Sequence, residues 1–135
     1  MDFSDLSHAD APRIETPPPG PVSEEFLARQ RACEGNAVSY PRGLPMALRR
    51  GRGATVEDMD GNIYLDFFGG AGVMNVGHAN PAVLAAAHAQ IDELTHTLDI
   101  PSPARRELVE VLGEVVPEGL TRLFFGGPTG SDAVE

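Results

Sequence analysis

The residues best placed to do chemistry stand where Gly126-Gly127-Pro128 is followed by Thr129-Gly130-Ser131-Asp132. The apolar run Leu123-Phe124-Phe125 before them reads as a buried strand of a parallel sheet. Thr129 and Asp132 have capping-box spacing, so a helix is predicted to begin at Thr129. A strand, a glycine-rich turn and a helix start aim free backbone N–H groups and the positive end of a helix dipole at one spot. The chemistry is anion binding. Gly130 and Ser131 would offer amides, Thr129 and Ser131 hydroxyls, and phosphate is the anion that suits them. The same pattern also occurs in capped helices that bind nothing, so alone it is a weak signal. It is neither a P-loop, which needs a lysine after the glycine, nor a G-x-G-x-x-G turn.

Other reactive side chains are read as structural. Asp58 and Asp60 flank a turn, where aspartate commonly bonds its own backbone. His78, in a Gly-His pair, is predicted to be held by backbone hydrogen bonds, and His88 and His96 have no metal spacing. Cys33 is the only cysteine, which leaves no internal disulfide and no zinc pattern. No residue is assigned as catalytic and none as a metal ligand. All ten basic residues are arginine, so the chain contains no lysine.

Composition narrows the class further. The formal charge of −10 and pI near 4.7 argue against nucleic acid or an anionic membrane as partner. No apolar run approaches the roughly 20 residues needed to span a bilayer, and MDFSDLSHAD lacks a signal peptide's basic start and apolar stretch, so a cytoplasmic location is expected.

The elements that must position the turn follow from local pattern. Five of the twelve prolines fall in residues 1–22, with little apolar periodicity, which predicts a mobile arm. Ser23 can cap a helix with Glu24 and Glu25 in its first turn and Phe26, Leu27 and Cys33 on its inner side, ending near Glu34-Gly35-Asn36. From Met46 to Asp66, short β-prone runs broken by Gly51, Gly53 and Asp60-Gly61 predict an antiparallel meander, too thin to stand without something packed on it. Asn80-Pro81 and Ser102-Pro103 each start a helix. The first carries Val83, Leu84, Ala87, Ile91 and Leu94, and the second Leu108, Val109, Leu112 and Val115 before a stop at Pro117; both are predicted to face a core. The helix begun at Thr129 has barely one turn, and the expectation is a chain that is the front part of a larger protein.

Beyond the arm, from about Glu34 to Glu135, the chain resembles the start of class III aminotransferases, pyridoxal-phosphate enzymes of fold type I. SYPRGLPMALRRGRG, VEDMDGNIYLDFFGGAGVMNVGHANPAV and FFGGPTGSDAVE carry the likeness. Within the class, GPTGSDAVE and THTLDIPSP look like the diaminobutyrate–2-oxoglutarate branch. The resemblance implies an α/β fold in three parts: a flexible arm (1–22), a small-domain segment and linker (23–100), and the beginning of a large domain with a parallel sheet (101–135).

By the same resemblance, Thr129, Gly130 and Ser131 match the phosphate-binding turn for pyridoxal 5'-phosphate. Tyr40 matches a position from which an aromatic ring faces substrate, and Ala71 with Gly72 matches a pocket-lining stretch whose small residues leave room for an extra amine. From the residues alone, Tyr40 reads equally as a packing tyrosine beside Pro41, and the glycines as a tight turn. The implied partners are a small amino donor, a 2-oxo acid acceptor and a second copy in a homodimer. Without the lysine that such enzymes link to the cofactor, these 135 residues are expected to be inactive alone. Three alternatives stay open: a non-catalytic module of the same fold, a 4-aminobutyrate or ornithine transaminase, and a different phosphate-ligand enzyme domain.

Overall fold

The computed structural model describes residues 6–127 and 129–134, and the chain divides into two compact units, Met1–Ala86 and Ala87–Glu135. The first is built on a meander of β1 (Leu48–Arg52), β2 (Thr55–Asp58) and β3 (Ile63–Leu65), antiparallel in the order β1-β2-β3. Arg52 pairs with Thr55, and Thr55 in turn with Leu65; the β1–β2 ladder is irregular between Leu48 and Arg50. β2 is the middle strand, and all four of its residues are buried.

The inside of this unit is small and unusually polar. Leu27, Val56 and Ile63 are its buried apolar side chains, against buried Ser23, Thr55, Glu57, Asp58 and Asn62 among the described residues. Polar groups leave water at low cost only when they are paired. Glu57 meets Arg50 (Nε to Oε2, 2.7 Å) and Arg49 (3.4 Å). Asp58 accepts from the amides of Asp60 and Asn62, from the Asn62 side chain and from the Tyr64 hydroxyl, at 2.8–2.9 Å. The Asp60-Gly61 turn is therefore tied down from within, as its sequence predicts.

The stretch read as a mobile arm is held to this sheet over its described residues. Arg13 exchanges two backbone hydrogen bonds with Ile63 (2.7 and 2.8 Å), covering the outer edge of β3. The amides of Glu15 and Thr16 both donate to Asn62 Oδ1, that of His8 to Thr55 Oγ1, and that of Ala54 to the Leu6 carbonyl. These anchors are backbone groups and the buried side chains of Asn62 and Thr55, which apolar periodicity does not register.

α1 (Pro21–Cys33) begins two residues before the expected Ser23 cap. Its N-cap is Gly20, and the capping oxygens come from Asp60, whose carboxylate accepts from Val22 N and Ser23 N at 2.8 Å each. A Cβ on Gly20 would lie 2.3 Å from the Asp60 carboxyl carbon, so the close approach requires glycine. Leu27 is buried as expected, whereas Phe26 and Cys33 are exposed.

α2 (Pro81–Glu93) and α3 (Pro103–Val115) start where their caps predict. Asn80 Oδ1 accepts from Ala82 N at 3.0 Å, and Ser102 Oγ from Arg105 N at 3.3 Å. Their apolar faces differ from expectation, because Val83, Leu84, Ile91, Leu94, Leu108, Val109 and Val115 are all exposed. Among its described residues the Ala87–Glu135 unit buries no side chain at all. Leu123–Phe125 is likewise not a strand, and Phe124 is 83% exposed. A parallel strand exists only through ladder bonds to neighbours, and the described part of this unit offers none. Among the described residues no parallel sheet has begun, and the fold is a mixed α/β one, a three-stranded antiparallel sheet with helices. No helix among the described residues is long and apolar enough to cross a membrane.

Candidate functional site

After residues 121–127, which have no regular structure, α4 (Gly130–Val134) starts as the sequence predicts. Asp132 Oδ2 accepts from both the Thr129 amide and the Thr129 hydroxyl, at 2.7 Å each. This is one half of a capping box: the carboxylate reaches back, while the Thr129 hydroxyl points to Asp132 and caps no amide. The hydrogen bonds from the Thr129 hydroxyl and amide hold the Asp132 carboxyl below the usual aspartate range.

Two consequences follow for an anion. The Gly130 and Ser131 amides have no acceptor among the described residues, and a Cβ on Gly130 would meet nothing within 4 Å. Thr129, by contrast, has its donors engaged. Gly126 sits so near α4 that a Cβ there would lie 2.9 Å from Ala133 Cα, an approach only glycine allows. Arg105 of α3 lies over the Phe125 ring, 4.7 Å from its centre, and steadies the segment leading into the turn. Among the described residues, the donors not engaged within the protein at this helix start include the backbone amides of Gly130 and Ser131. Residue 128 lies outside the described residues.

Tyr40, Ala71 and Gly72 lie in the first unit and are brought into one neighbourhood. Tyr40 opens a short 3-10 turn (Tyr40–Arg42), and its ring meets Phe68 edge to face, centroids 5.3 Å apart. Phe68 leads directly into Gly69–Gly72, a single turn wound in the left-handed sense: φ is 54°, 63°, 63° and 86° along Gly69, Gly70, Ala71 and Gly72. Glycine accepts these angles, but Ala71 does so at a cost of about 1–2 kcal/mol. Strain of this kind persists where surroundings over-determine it, and it gathers at binding sites.

The surroundings are Asp66 and His78. Asp66 Oδ1 accepts from Phe68 N (3.0 Å) and Gly69 N (2.8 Å), and its Oδ2 lies 2.8 Å from His78 Nε2. His78 is fixed in turn by backbone bonds in both directions with Gly53, 2.7 and 2.9 Å, and its ring lies where a Cβ on Gly51 would fall 2.6 Å from Cγ. The expected backbone bonds of His78 are present; the carboxylate partner is new. Hydrogen bonding from His78, then from Gly69, depresses the Asp66 carboxyl. Asp66 was not singled out from sequence, because its partner stands twelve residues away across a turn. The nearest signal is the aspartate two residues before the glycine run, a position suited to bonding the amides that follow.

Among the described residues, no three His, Cys, Asp or Glu side chains converge as a metal ion would need.

Residues 37–135 match the family described as Aminotransferase class-III. The chain belongs to that family. It is 40% identical over 115 residues to the diaminobutyrate–2-oxoglutarate aminotransferase of Haemophilus influenzae, covering 84% of this chain and 25% of that protein. To the diaminobutyrate–2-oxoglutarate transaminase of Nocardia farcinica it is 43% identical over 109 residues, covering 77% and 25%. Among solved structures it resembles the ornithine aminotransferase of Toxoplasma gondii crystallised with oxidised glutathione, in which PLP partially occupies the active site; the TM-score is 0.59 at 33% identity, covering 67% of this chain and 22% of that one. The chain thus spans about a quarter of the length of the curated relatives it matches.

Proposed function

We propose that this class III aminotransferase segment supplies the phosphate-binding turn and part of the substrate pocket of an enzyme that moves an amino group from diaminobutyrate, or another ω-amino donor, to 2-oxoglutarate. The observation that supports the reading is the helix start at Gly130, where two backbone amides have no acceptor among the described residues. Gly130 and Ser131 would hold the phosphate of pyridoxal 5'-phosphate, with Thr129 joining them if it leaves Asp132. When bound, that cofactor supplies an electron sink for the carbon that gains or loses the amino group. Tyr40, Ala71 and Gly72 would bound the donor side, the small residues leaving space for its second amine. The likeness to diaminobutyrate transaminases favours that donor over ornithine or 4-aminobutyrate.

Transamination needs a lysine, and these residues have none, so the chain alone is inactive and the lysine belongs to further sequence. The reading carries with it a flexible arm at 1–22, a small-domain segment at 23–100, the opening of the cofactor domain at 101–135, and a cytoplasmic homodimer as the working state.

The test is to sequence the gene past residue 135, express the complete polypeptide, and measure amino transfer to 2-oxoglutarate from diaminobutyrate, ornithine and 4-aminobutyrate. Pyridoxal-phosphate-dependent activity, highest with diaminobutyrate, is expected. A reading frame with no lysine, or a product that ignores pyridoxal phosphate, overturns the proposal. A second reading, a non-catalytic module of the same fold, is favoured by the missing lysine and predicts a cooperative thermal transition for the 135 residues alone. The exposed faces of α2 and α3 count against it.

A further inference from the structure

The Asp66–His78 pair has a geometry that neither a turn nor a surface ion pair requires. One carboxylate oxygen takes two successive amides, Phe68 and Gly69, at the entry to the left-handed turn. The other takes His78 Nε2 at 2.8 Å. His78 cannot follow a moving loop, because its backbone is bonded to Gly53 in both directions and its ring rests against Gly51 at the end of β1. The sheet thus reaches through the imidazole and the carboxylate to the residues that enter the turn. Phe68, whose amide is held by Asp66, carries the Tyr40 ring on its edge.

We propose that Asp66 and His78 form a positioning unit that fixes the Phe68–Gly72 turn and the Tyr40 ring relative to the sheet, and so sets how tightly the site receives its amino donor. The inference rests on the reading of Tyr40, Ala71 and Gly72 as pocket residues. Neither Asp66 nor His78 need touch the donor. They act through the turn: the carboxylate fixes two amides, and the imidazole fixes the carboxylate.

The experiment compares Asp66→Ala, His78→Ala and His78→Gln with the parent in the complete polypeptide, with two readouts. The first is hydrogen exchange at the Phe68 and Gly69 amides. Asp66→Ala should speed exchange there at least tenfold, with little change at β2, and His78→Ala should do so to a smaller extent. The second is steady-state kinetics with the amino donor and 2-oxoglutarate varied separately. Both alanine variants should raise the donor KM about tenfold while kcat stays within about threefold. His78→Gln, whose amide can still donate to Asp66, should recover most of the loss. Unchanged exchange at Phe68 and Gly69 in Asp66→Ala overturns the clamp. Donor and acceptor parameters falling together with thermal stability would mean a merely structural pair, which also overturns the proposal. If the complete polypeptide transfers no amino group, the functional reading fails, and with it the donor-binding role; the exchange readout still decides whether the clamp exists.

Discussion

The two units of this chain solve the same problem, covering surface that water disfavours, to very different degrees. Among its described residues Met1–Ala86 buries few apolar side chains but pairs most of its buried polar ones: Asp58 receives four hydrogen bonds, Asn62 accepts two from the arm, and Asp60 caps α1 from a distant turn. Ala87–Glu135 has well-capped helices with clear apolar faces, and buries nothing among its described residues. Local signals are sufficient to start a helix, but most helical stability comes from packing an amphipathic face. The first unit is specified by contacts it contains. The second has its local structure in place, and none of its described residues is buried.

The comparison breaks most easily at Asp58. Asp58→Ala should leave two amides, the Asn62 side chain and the Tyr64 hydroxyl without an acceptor, at a cost of about 3–5 kcal/mol. Denaturant unfolding followed by the sheet's circular dichroism reads it. A loss below about 1 kcal/mol would mean that the polar network is not what holds this unit. Asn62→Ala comes next. It removes the acceptor of the Glu15 and Thr16 amides and should cost about 1–3 kcal/mol, with faster hydrogen exchange at those two amides.

A smaller effect is expected from pH, and its sign separates the groups. Burial, then the neighbouring Asp58 carboxylate, pushes the Tyr64 hydroxyl up to about 12 from an ordinary value of 10.0. Between these values the unfolded chain has released the proton and the folded one keeps it, so stability should fall as pH rises from about 10 towards 12. In Tyr64→Phe that alkaline slope should vanish. Asp66 and Asp60 lie on the other side. His78 and the Gly69 amide lower the Asp66 carboxyl; for Asp60 burial acts upwards, and the hydrogen bonds from Ser23 and Val22 outweigh it. Both folded carboxyls ionise below the unfolded value of 3.8, so their contribution is complete above that value and is lost as pH falls below it. Thermal melts from pH 2 to 12 would show both slopes, and a flat profile at either end would remove the corresponding group from the account.

What the sequence made legible, and what it hid, divides along the range of the interaction. Asn80, Ser102, Asp60-Gly61 and the Thr129/Asp132 spacing act within four residues of themselves, and each is found where it was predicted. The arm, the capping of α1 by Asp60 and the Asp66–His78 pair join residues 12 to 50 positions apart through hydrogen bonds, for which a single sequence carries no period. Leu123–Phe125 failed for a further reason. Its apolar run is a local feature, but a strand is a property of a pair, and the described residues give it no partner. For the site, the family likeness pointed to Tyr40, Ala71 and Gly72, and the structure added why they are neighbours: Phe68 bridges them, and Asp66 holds Phe68.

The smallest expected effect is the sharpest test of the contrast between the units. Ile91 on α2 and Val109 on α3 are apolar and interior-like in sequence, yet both are exposed. In a protein whose helices pack on a core, Ile91→Asp or Val109→Asp would place a charge inside and cost several kcal/mol. In these 135 residues each should change stability by no more than about 0.5 kcal/mol, as at any surface position, and should reduce self-association by interrupting an exposed apolar face. On the proposed reading the complete polypeptide should respond in the opposite way, the further sequence covering those faces and making the same substitutions strongly destabilising. Equal, large losses in both would show that the helical unit already has a core of its own. Equal, negligible losses in both would show that these faces stay exposed even in the whole protein.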